Sequence, residues 1–363
     1  MTVLVVGASG LIGTAAVERF LADGQEVVAL SRRPPALGPD VDDAAVRHVP
    51  LDLRDAEACA DAVRRLPAVE RLVFAAVHET PGLVAGWKDA AQMETNLAML
   101  GNVLEPVAAR GSLKHVSLMQ GTKAYGVLHH RVPVPARESH PRDRQANFYW
   151  LQEDHVRAAA TRHGFHWTIL RPPLVVGPNH GVAMNLVPVI GAYAAIRAEL
   201  GLGLGYPGGP GYVTEAVDVR LLADALLWAS SAPEAADEIF NVSNGEVFSW
   251  PDLWPAIVAA LGAEAAAPEP VRLAEWLPAQ EEVWRRVLQR HRLRPLALAE
   301  LLGESHHYAD FHFATGARRP LDPVVASTVK IHRAGFTGVM NTEETFAHWL
   351  GTLAERGVLP PLT

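Results

Sequence analysis

TVLVVGASGLIG, Thr2 to Gly13, sets a valine-rich run directly against three glycines, Gly7, Gly10 and Gly13, each separated by two residues, with an alanine-rich amphipathic stretch to follow. A strand that runs through a glycine turn into a helix meets the needs of a pyrophosphate cradle: a tight turn, close backbone approach, and a helix N-terminus whose free amides and dipole favour an anion. The spacing alone is a weak signal, and its place between strand and helix gives it weight. Outward from there, short apolar runs alternate with segments of helical period: EVVAL, the helix candidate DAEACADAVRRL, then RLVFAAV, LKHVSLM and HWTILRPPLVVG. This alternation predicts parallel strands with helical crossovers, hence an α/β fold built on a Rossmann-type doubly wound parallel sheet. After about residue 180 glycine and proline punctuate GLGLGYPGGPGYVTEAVDV, and the remainder reads mainly as helices. The expected organisation is a dinucleotide-binding domain over 1–180, to which 212–245 returns, interleaved with a smaller, mainly helical substrate-binding or lid region over 181–363.

Composition narrows the function classes. With 363 residues, 49% hydrophobic and 20% charged, the chain can bury a substantial core. Its longest apolar runs, LVPVIGAYAAI among them, are broken by Pro188 and Gly191 and met at once by Arg197, short of the roughly 20 residues a bilayer span needs, so no membrane partner is expected. Met1 leads straight into a strand with no secretory pattern, and the single cysteine, Cys59, excludes an internal disulfide; both favour a cytoplasmic location. A formal net charge of -8 with scattered basic residues argues against a nucleic-acid partner. WRRVLQRHRLRP, Trp284 to Pro295, reads as a solvated basic helix face rather than a functional patch. In ESHHYADFHF, His306, His307 and His312 lie close together, but His307 and His312 are five apart and share a helical face poorly. No cysteine or carboxylate completes a ligand set, so no metal is expected, and the segment is expected to line the substrate side of the cleft or to pack there.

The second strand ends in Ser31, Arg32 and Arg33, where an NAD-selective site carries an acidic residue for the ribose hydroxyls. Two guanidiniums there suit a 2′-phosphate, because arginine is always charged and offers a planar fork. The cofactor predicted is NADPH/NADP+, with Arg32 the better candidate of the two; the alternative is that both are loop surface. In LDLRD, Asp52 ends a strand and serves either the adenine edge or as cap of the next helix. The expected cofactor set also takes in Ser9, Leu11 and Ile12 in the glycine turn, Leu53 beside Asp52, Ala75 and Ala76 after RLVF, and Lys123, Tyr149 and Pro172.

NFYWLQED, Asn147 to Asp154, places Tyr149 at the start of a helix, as a proton-donating tyrosine of a short-chain reductase would be. Four residues on, where a Y-x-x-x-K pattern would set a lysine, stands Glu153. Upstream, LKHVSLM runs into QGTKAYG, which puts Lys123 and Tyr125 beyond the carboxyl end of a parallel strand, the place where open α/β sheets bind ligands. Lys123 thereby offers the missing ammonium. A tyrosine beside a tryptophan on a helix is otherwise ordinary core packing.

GTKAYG, NFYWLQED, HWTILRPPLVVG, MNL followed by AYAAI, and IFNVSNGEVFSW, in this order, resemble the progesterone 5-beta-reductase and iridoid synthase family of atypical extended short-chain dehydrogenases/reductases. The resemblance runs from the glycine motif through Trp250 and more loosely to AGFTGVMNTEETFAHWL. It implies NADPH-dependent reduction of the C=C bond of an enone, with Tyr149 and Lys123 as catalytic residues by motif position. Tyr149 would stabilise the enolate oxygen, and Lys123 would orient the phenol and favour its ionised form. Substrate contacts are expected from Tyr125, His129, Trp150 and Met184. The chain departs from the family at Trp150, where a second tyrosine is common, around FAAVHET, which lacks a tryptophan of plant members, and after Tyr125; steroid or iridoid substrates therefore do not follow. Alternatives on the same fold are a carbonyl reductase or epimerase and a non-catalytic NADP(H)-sensing protein. The partner expected is a small enone or carbonyl compound, and a homodimer is an expectation from fold analogy alone.

Overall fold

A computed structural model describes residues 1–39 and 41–362. Every residue of β1 (Thr2–Val6) is buried, as an apolar run must be when helices cover both faces of a parallel sheet. The remaining strands are β2 (Glu26–Ser31), β3 (Val46–Pro50), β4 (Arg71–Phe74), β5 (His115–Met119), β6 (His166–Arg171), β7 (Leu174–Val176), β8 (Ala216–Asp218) and β9 (Glu238–Asn241). Seven of them form one parallel sheet in the order β3-β2-β1-β4-β5-β6-β9. The order reverses at β1, with β2 on one side and β4 on the other, and this opens a crevice beyond their carboxyl ends.

The helices that position the site are α1 (Leu11–Ala22), α2 (Ala56–Arg64), α3 (Ala90–Ala108), α4 (Phe148–His163), α5 (Leu186–Glu199) and α6 (Val219–Ala229). α2, α3 and α4 pack in series on one face of the sheet, over a core that includes Leu4, Leu72 and Val116; α1 and α6 pack together on the other, over Val3, Val5 and Phe20.

HWTILRPPLVVG does not form one strand. Pro172 and Pro173 follow β6, and prolines cannot donate to a ladder, so β7 leaves the sheet and pairs with β8. The seventh place in the sheet goes to β9, paired with β6 from Thr168↔Glu238 to Arg171↔Asn241.

The second layer gathers around α5, buried along almost its whole length. Against it pack the helices Glu281–His291, Ser305–His312 and Thr342–Glu355, with Tyr193, Trp250, Trp284 and Phe346 fully buried. On the basic helix face, Arg286 and Arg290 reach Glu199 of α5 at 3.4 and 3.1 Å. Ser305–His312 also meets the 3-10 segment Leu83–Lys88, which brings the two layers together over the crevice. Among the described residues no helix is long and apolar enough to cross a membrane.

Candidate active site

Gly7 sits at φ +85°, and a Cβ there would stand 2.6 Å from the Ala76 nitrogen of the neighbouring strand end. A Cβ on Gly13 would stand 2.1 Å from the Gly7 carbonyl. The turn therefore closes only without side chains, and α1 starts against it after Gly10 with no acidic residue in its first turn. The amides at this helix end face a cleft of about 640 Å³ that Gly7, Ser9 and Gly10 line. An anion is the chemically matched occupant.

The cleft continues past Ser31, Arg32 and Arg33 at the end of β2, and past Asp52, Leu53 and Arg54 after β3. Arg32 and Arg33 are exposed and carry no side-chain hydrogen bond or ion pair to the described residues. Asp52 does not cap the next helix; Asp55 does, by accepting from the Ala58 amide at 2.9 Å. Asp52 is instead gripped by Arg54, with contacts of 2.6 to 3.2 Å, and this guanidinium, with Arg32 behind it, holds its carboxyl down at about 2. Arg54 is a cleft residue that reasoning from LDLRD missed. On the far side the loop after β4 is clamped by buried Asn96, whose side chain accepts from the His78 amide at 2.8 Å and donates to its carbonyl at 2.9 Å.

Through Gly10, Ala75, Val77, Val182 and Ala183 the cleft joins an inner pocket of about 230 Å³. Tyr149, Lys123, Pro172 and Met184 line it, as do Leu11 and Ile12. Asn147 brings the first two together: it caps α4 by accepting from the Tyr149 amide at 3.0 Å and donates its other side-chain atom to the Lys123 carbonyl at 3.1 Å. Lys123 Nζ lies 3.9 Å from Glu79 Oε1 and 4.2 Å above the centre of the Trp87 ring. Burial pushes the lysine down, opposed by Glu79; burial also pushes Glu79 up, opposed by Lys123 and by the Gln92 amide that donates to it at 2.8 Å. Neither Glu79 nor Trp87 was singled out from the sequence, and Trp87 puts an indole in the pocket even though the FAAVHET stretch has none.

The expectation that Lys123 favours an ionised Tyr149 is not met. Lys123 Nζ stands 5.7 Å from the tyrosine's ring centre, and burial first, with Glu79 second, drives the phenol well above its usual range, so it stays protonated. Its hydroxyl bonds to none of the described residues and faces Gly121, where a Cβ would lie 3.4 Å from it.

Glu153, four residues on, has a different task. It is 3% exposed and meets Arg171 at 3.4 Å, Arg142 at 2.8 Å and Arg157 at 2.9 Å. Arg171 donates to Gln120 at 2.9 Å, and Gln120 donates to the Tyr149 carbonyl at 3.0 Å. This network ties the start of α4 to the ends of β5 and β6. Tyr125 and Trp150, expected to touch substrate, belong to it: their rings lie 5.2 and 5.5 Å from the Arg171 guanidinium, and the Tyr125 hydroxyl donates to Asn241 at 2.6 Å. Neither lines the inner pocket, and exposed His129 does not reach it either.

Of the three close histidines, His306 lines the outer cleft and His312 the inner pocket, while His307 stands 3.8 Å from Glu304. Among the described residues no group of three or more potential ligands is placed to hold a metal ion.

Residues 3–243 match a family described as NAD dependent epimerase/dehydratase. The chain is similar to (S)-8-oxocitronellyl enol synthase of Catharanthus roseus, 26% identical over 98% of this chain and 92% of that one. It is likewise similar to 3-oxo-Delta(4,5)-steroid 5-beta-reductase of Arabidopsis thaliana, 27% identical over the same shares. These relatives agree with the resemblance read from GTKAYG and NFYWLQED. In fold it matches the structure of Thermus thermophilus UDP-glucose 4-epimerase in complex with NAD, with a TM-score of 0.66 and 23% identity over 99% of this chain and 100% of that one. The architecture is that of the extended short-chain dehydrogenases/reductases, and the chain is an enzyme of that type.

Proposed function

The chain belongs to the NAD dependent epimerase/dehydratase family, and from that premise we propose that it reduces the activated C=C bond of an enone or enal with NADPH. The observation that carries this reading is a protonated, uncommitted phenol, Tyr149, beside a buried ammonium, Lys123, where the nucleotide cleft opens into an apolar pocket.

The cofactor fits the chain's own residues. The glycine cradle and the amides of α1 suit a pyrophosphate, and Arg32 and Arg33 present free guanidiniums beside an Asp52 already neutralised by Arg54. That arrangement suits a 2′-phosphate better than bare ribose hydroxyls. NADPH, when bound, supplies the hydride for the β-carbon.

Charge then develops on the carbonyl oxygen, and Tyr149 donates its hydroxyl hydrogen bond to that atom. A phenol held protonated across the working pH range is always a donor, and a donor preorganised in a dry pocket is worth far more than one in water. Lys123, whose charged form burial disfavours and Glu79 favours, supports the same negative charge through space when it carries its proton. Val127, Leu128, Met184 and Phe311 exclude water around the substrate's carbon skeleton. A proton from solvent water, taken up at the α-carbon as the carbonyl re-forms, completes a saturated carbonyl product.

The test is NADPH consumption by the purified protein with 2-cyclohexen-1-one, progesterone, 8-oxogeranial and matched saturated ketones and aldehydes, products being identified by mass and NMR. Saturated carbonyls from the enones are expected. Alcohols would transfer the enzyme to carbonyl reduction, and full turnover by Tyr149→Phe on a verified substrate would remove Tyr149 from its role.

A further inference from the structure

The helix Ser305–His312 contributes a second polar face to the inner pocket. Tyr308, Phe311 and His312, spaced by three and four residues, fall on one side of it, and all three line the same pocket as Lys123 and Tyr149. The helix is fixed in place at both ends. Ser305 donates to the Val182 carbonyl at 2.8 Å and accepts from the Asn185 amide at 3.0 Å, and Asp310 accepts from the Leu273 and Ala274 amides at 2.8 and 3.1 Å.

The Tyr308 hydroxyl bonds to none of the described residues, although the side chain is only 9% exposed. Every other buried tyrosine outside the pair Tyr149 and Tyr308 does have such a bond: Tyr125 to Asn241, Tyr193 and Tyr206 to the Gly205 and Phe313 carbonyls, Tyr212 to the His312 carbonyl. The Tyr308 oxygen is not itself sealed off: it opens into the inner pocket, where an occupant can accept from it. His312 packs edge-on against the Tyr308 ring at 4.4 Å, and burial holds its imidazole neutral, pushed down to about 3, so it does not add a competing cation. Burial, then the nearby Tyr149, pushes the Tyr308 phenol up and keeps it a donor.

We infer that Tyr308 is a second catalytic donor, and that with Tyr149 it forms a two-phenol cradle for the carbonyl oxygen on which negative charge develops. The inference rests on the proposed carbonyl-activating function of this site. It assigns to the C-terminal layer a direct part in the chemistry, and it explains why the histidine-rich segment is folded against the pocket rather than away from it.

The test compares wild type with Tyr308→Phe, which keeps the ring and its packing. On a verified substrate kcat should fall on the order of 100-fold with little change in KM, the signature of a donor used in the transition state. An unchanged kcat, or a rise in KM alone, would overturn the inference. A second measurement needs no turnover: 4-nitrophenol, whose anion imitates the charged oxygen, is titrated in the NADP+-loaded protein by its phenolate absorbance. Two donors should lower the bound probe's pKa below that of the free probe, and Tyr308→Phe should raise it by about one unit. No binding by the wild type, or no difference between the proteins, would overturn it too. If wild type reduces no enone or carbonyl while the probe shift is present and sensitive to Tyr308, the proposed function fails and the cradle stands.

Discussion

Replacing Glu153 with lysine would restore, on paper, the Y-x-x-x-K spacing that the chain lacks. The structure says the change will harm the protein and repair nothing. Glu153 is 3% exposed and faces Arg171, itself 4% exposed, so Glu153→Lys removes the carboxylate from a buried pair and sets a cation in its place. Breaking such a pair costs about 3–5 kcal/mol. Arg142 and Arg157, at 37% and 46% exposed, are screened by water and add little to that figure. With an unfolding entropy near 2.1 cal/mol/K per residue, roughly 0.8 kcal/mol/K for the whole chain, the thermal midpoint should drop by about 4–7 °C. Scanning calorimetry measures this directly. The functional arm pairs Lys123→Met with Glu153→Lys: because the new ammonium would lie in the arginine network and not beside Glu79, the double variant should recover no activity over Lys123→Met alone. A midpoint within about 1 °C of wild type, or recovery of turnover in the double variant, would refute the reasoning.

Three further outcomes follow from the same geometry. Arg32→Ala should weaken NADPH at least tenfold while leaving NADH nearly untouched, as read by cofactor titration; equal losses for both would remove the phosphate clamp. Glu79→Gln removes the charge that opposes the burial of Lys123, so the lysine's pKa falls further and the alkaline limb of kcat/KM should move to lower pH; an unmoved limb would show that the ammonium is not required. Glu215 is buried, accepts from the Ala326 amide at 2.6 Å and the Ser243 hydroxyl at 3.3 Å, and is pushed up to about 7 from a usual 4.5. The folded state therefore holds its proton more tightly than the unfolded chain, stability should decline by on the order of 3 kcal/mol as pH rises from about 4.5 to 7, and Glu215→Gln should flatten that slope in denaturant titrations.

The parts of this molecule that were legible in advance are local in sequence. TVLVVGASGLIG carries strand, turn and helix within twelve residues, and the steric demand on Gly7 and Gly13 is met inside that stretch and the adjoining strand end. Arg32 could be placed because it follows the last residue of β2 directly. The fate of HWTILRPPLVVG was only half readable: Pro172 and Pro173 mark the break between its two apolar halves, but where the second half goes depends on the pairing that β8, far downstream, offers β7. Glu79 likewise became a site residue through contact with a lysine far along the chain. Among the expected substrate contacts, nearness in sequence to the proposed catalytic tyrosine misled. Trp150 follows Tyr149 by one position, about 100° around the helix, and so points to the Arg171 network and not to the pocket.

That same angular rule shows where the overlooked information lay. In ESHHYADFHF the five-residue gap from His307 to His312 argues against a shared face, and the three- and four-residue gaps from Tyr308 to Phe311 and His312 argue for one. The relocated lysine obeys a related logic. Tyr149 is aimed by the cap of α4, so its hydroxyl has a defined place regardless of what stands a turn later on the helix. The ammonium needs only to arrive from some strand end bordering the same crevice, and β5 delivers it through GTKAYG. Asn147 then fixes the distance between the two by bonding to both backbones at once. With that tether in place the position of Glu153 was free to take up an opposite charge and secure the helix from behind.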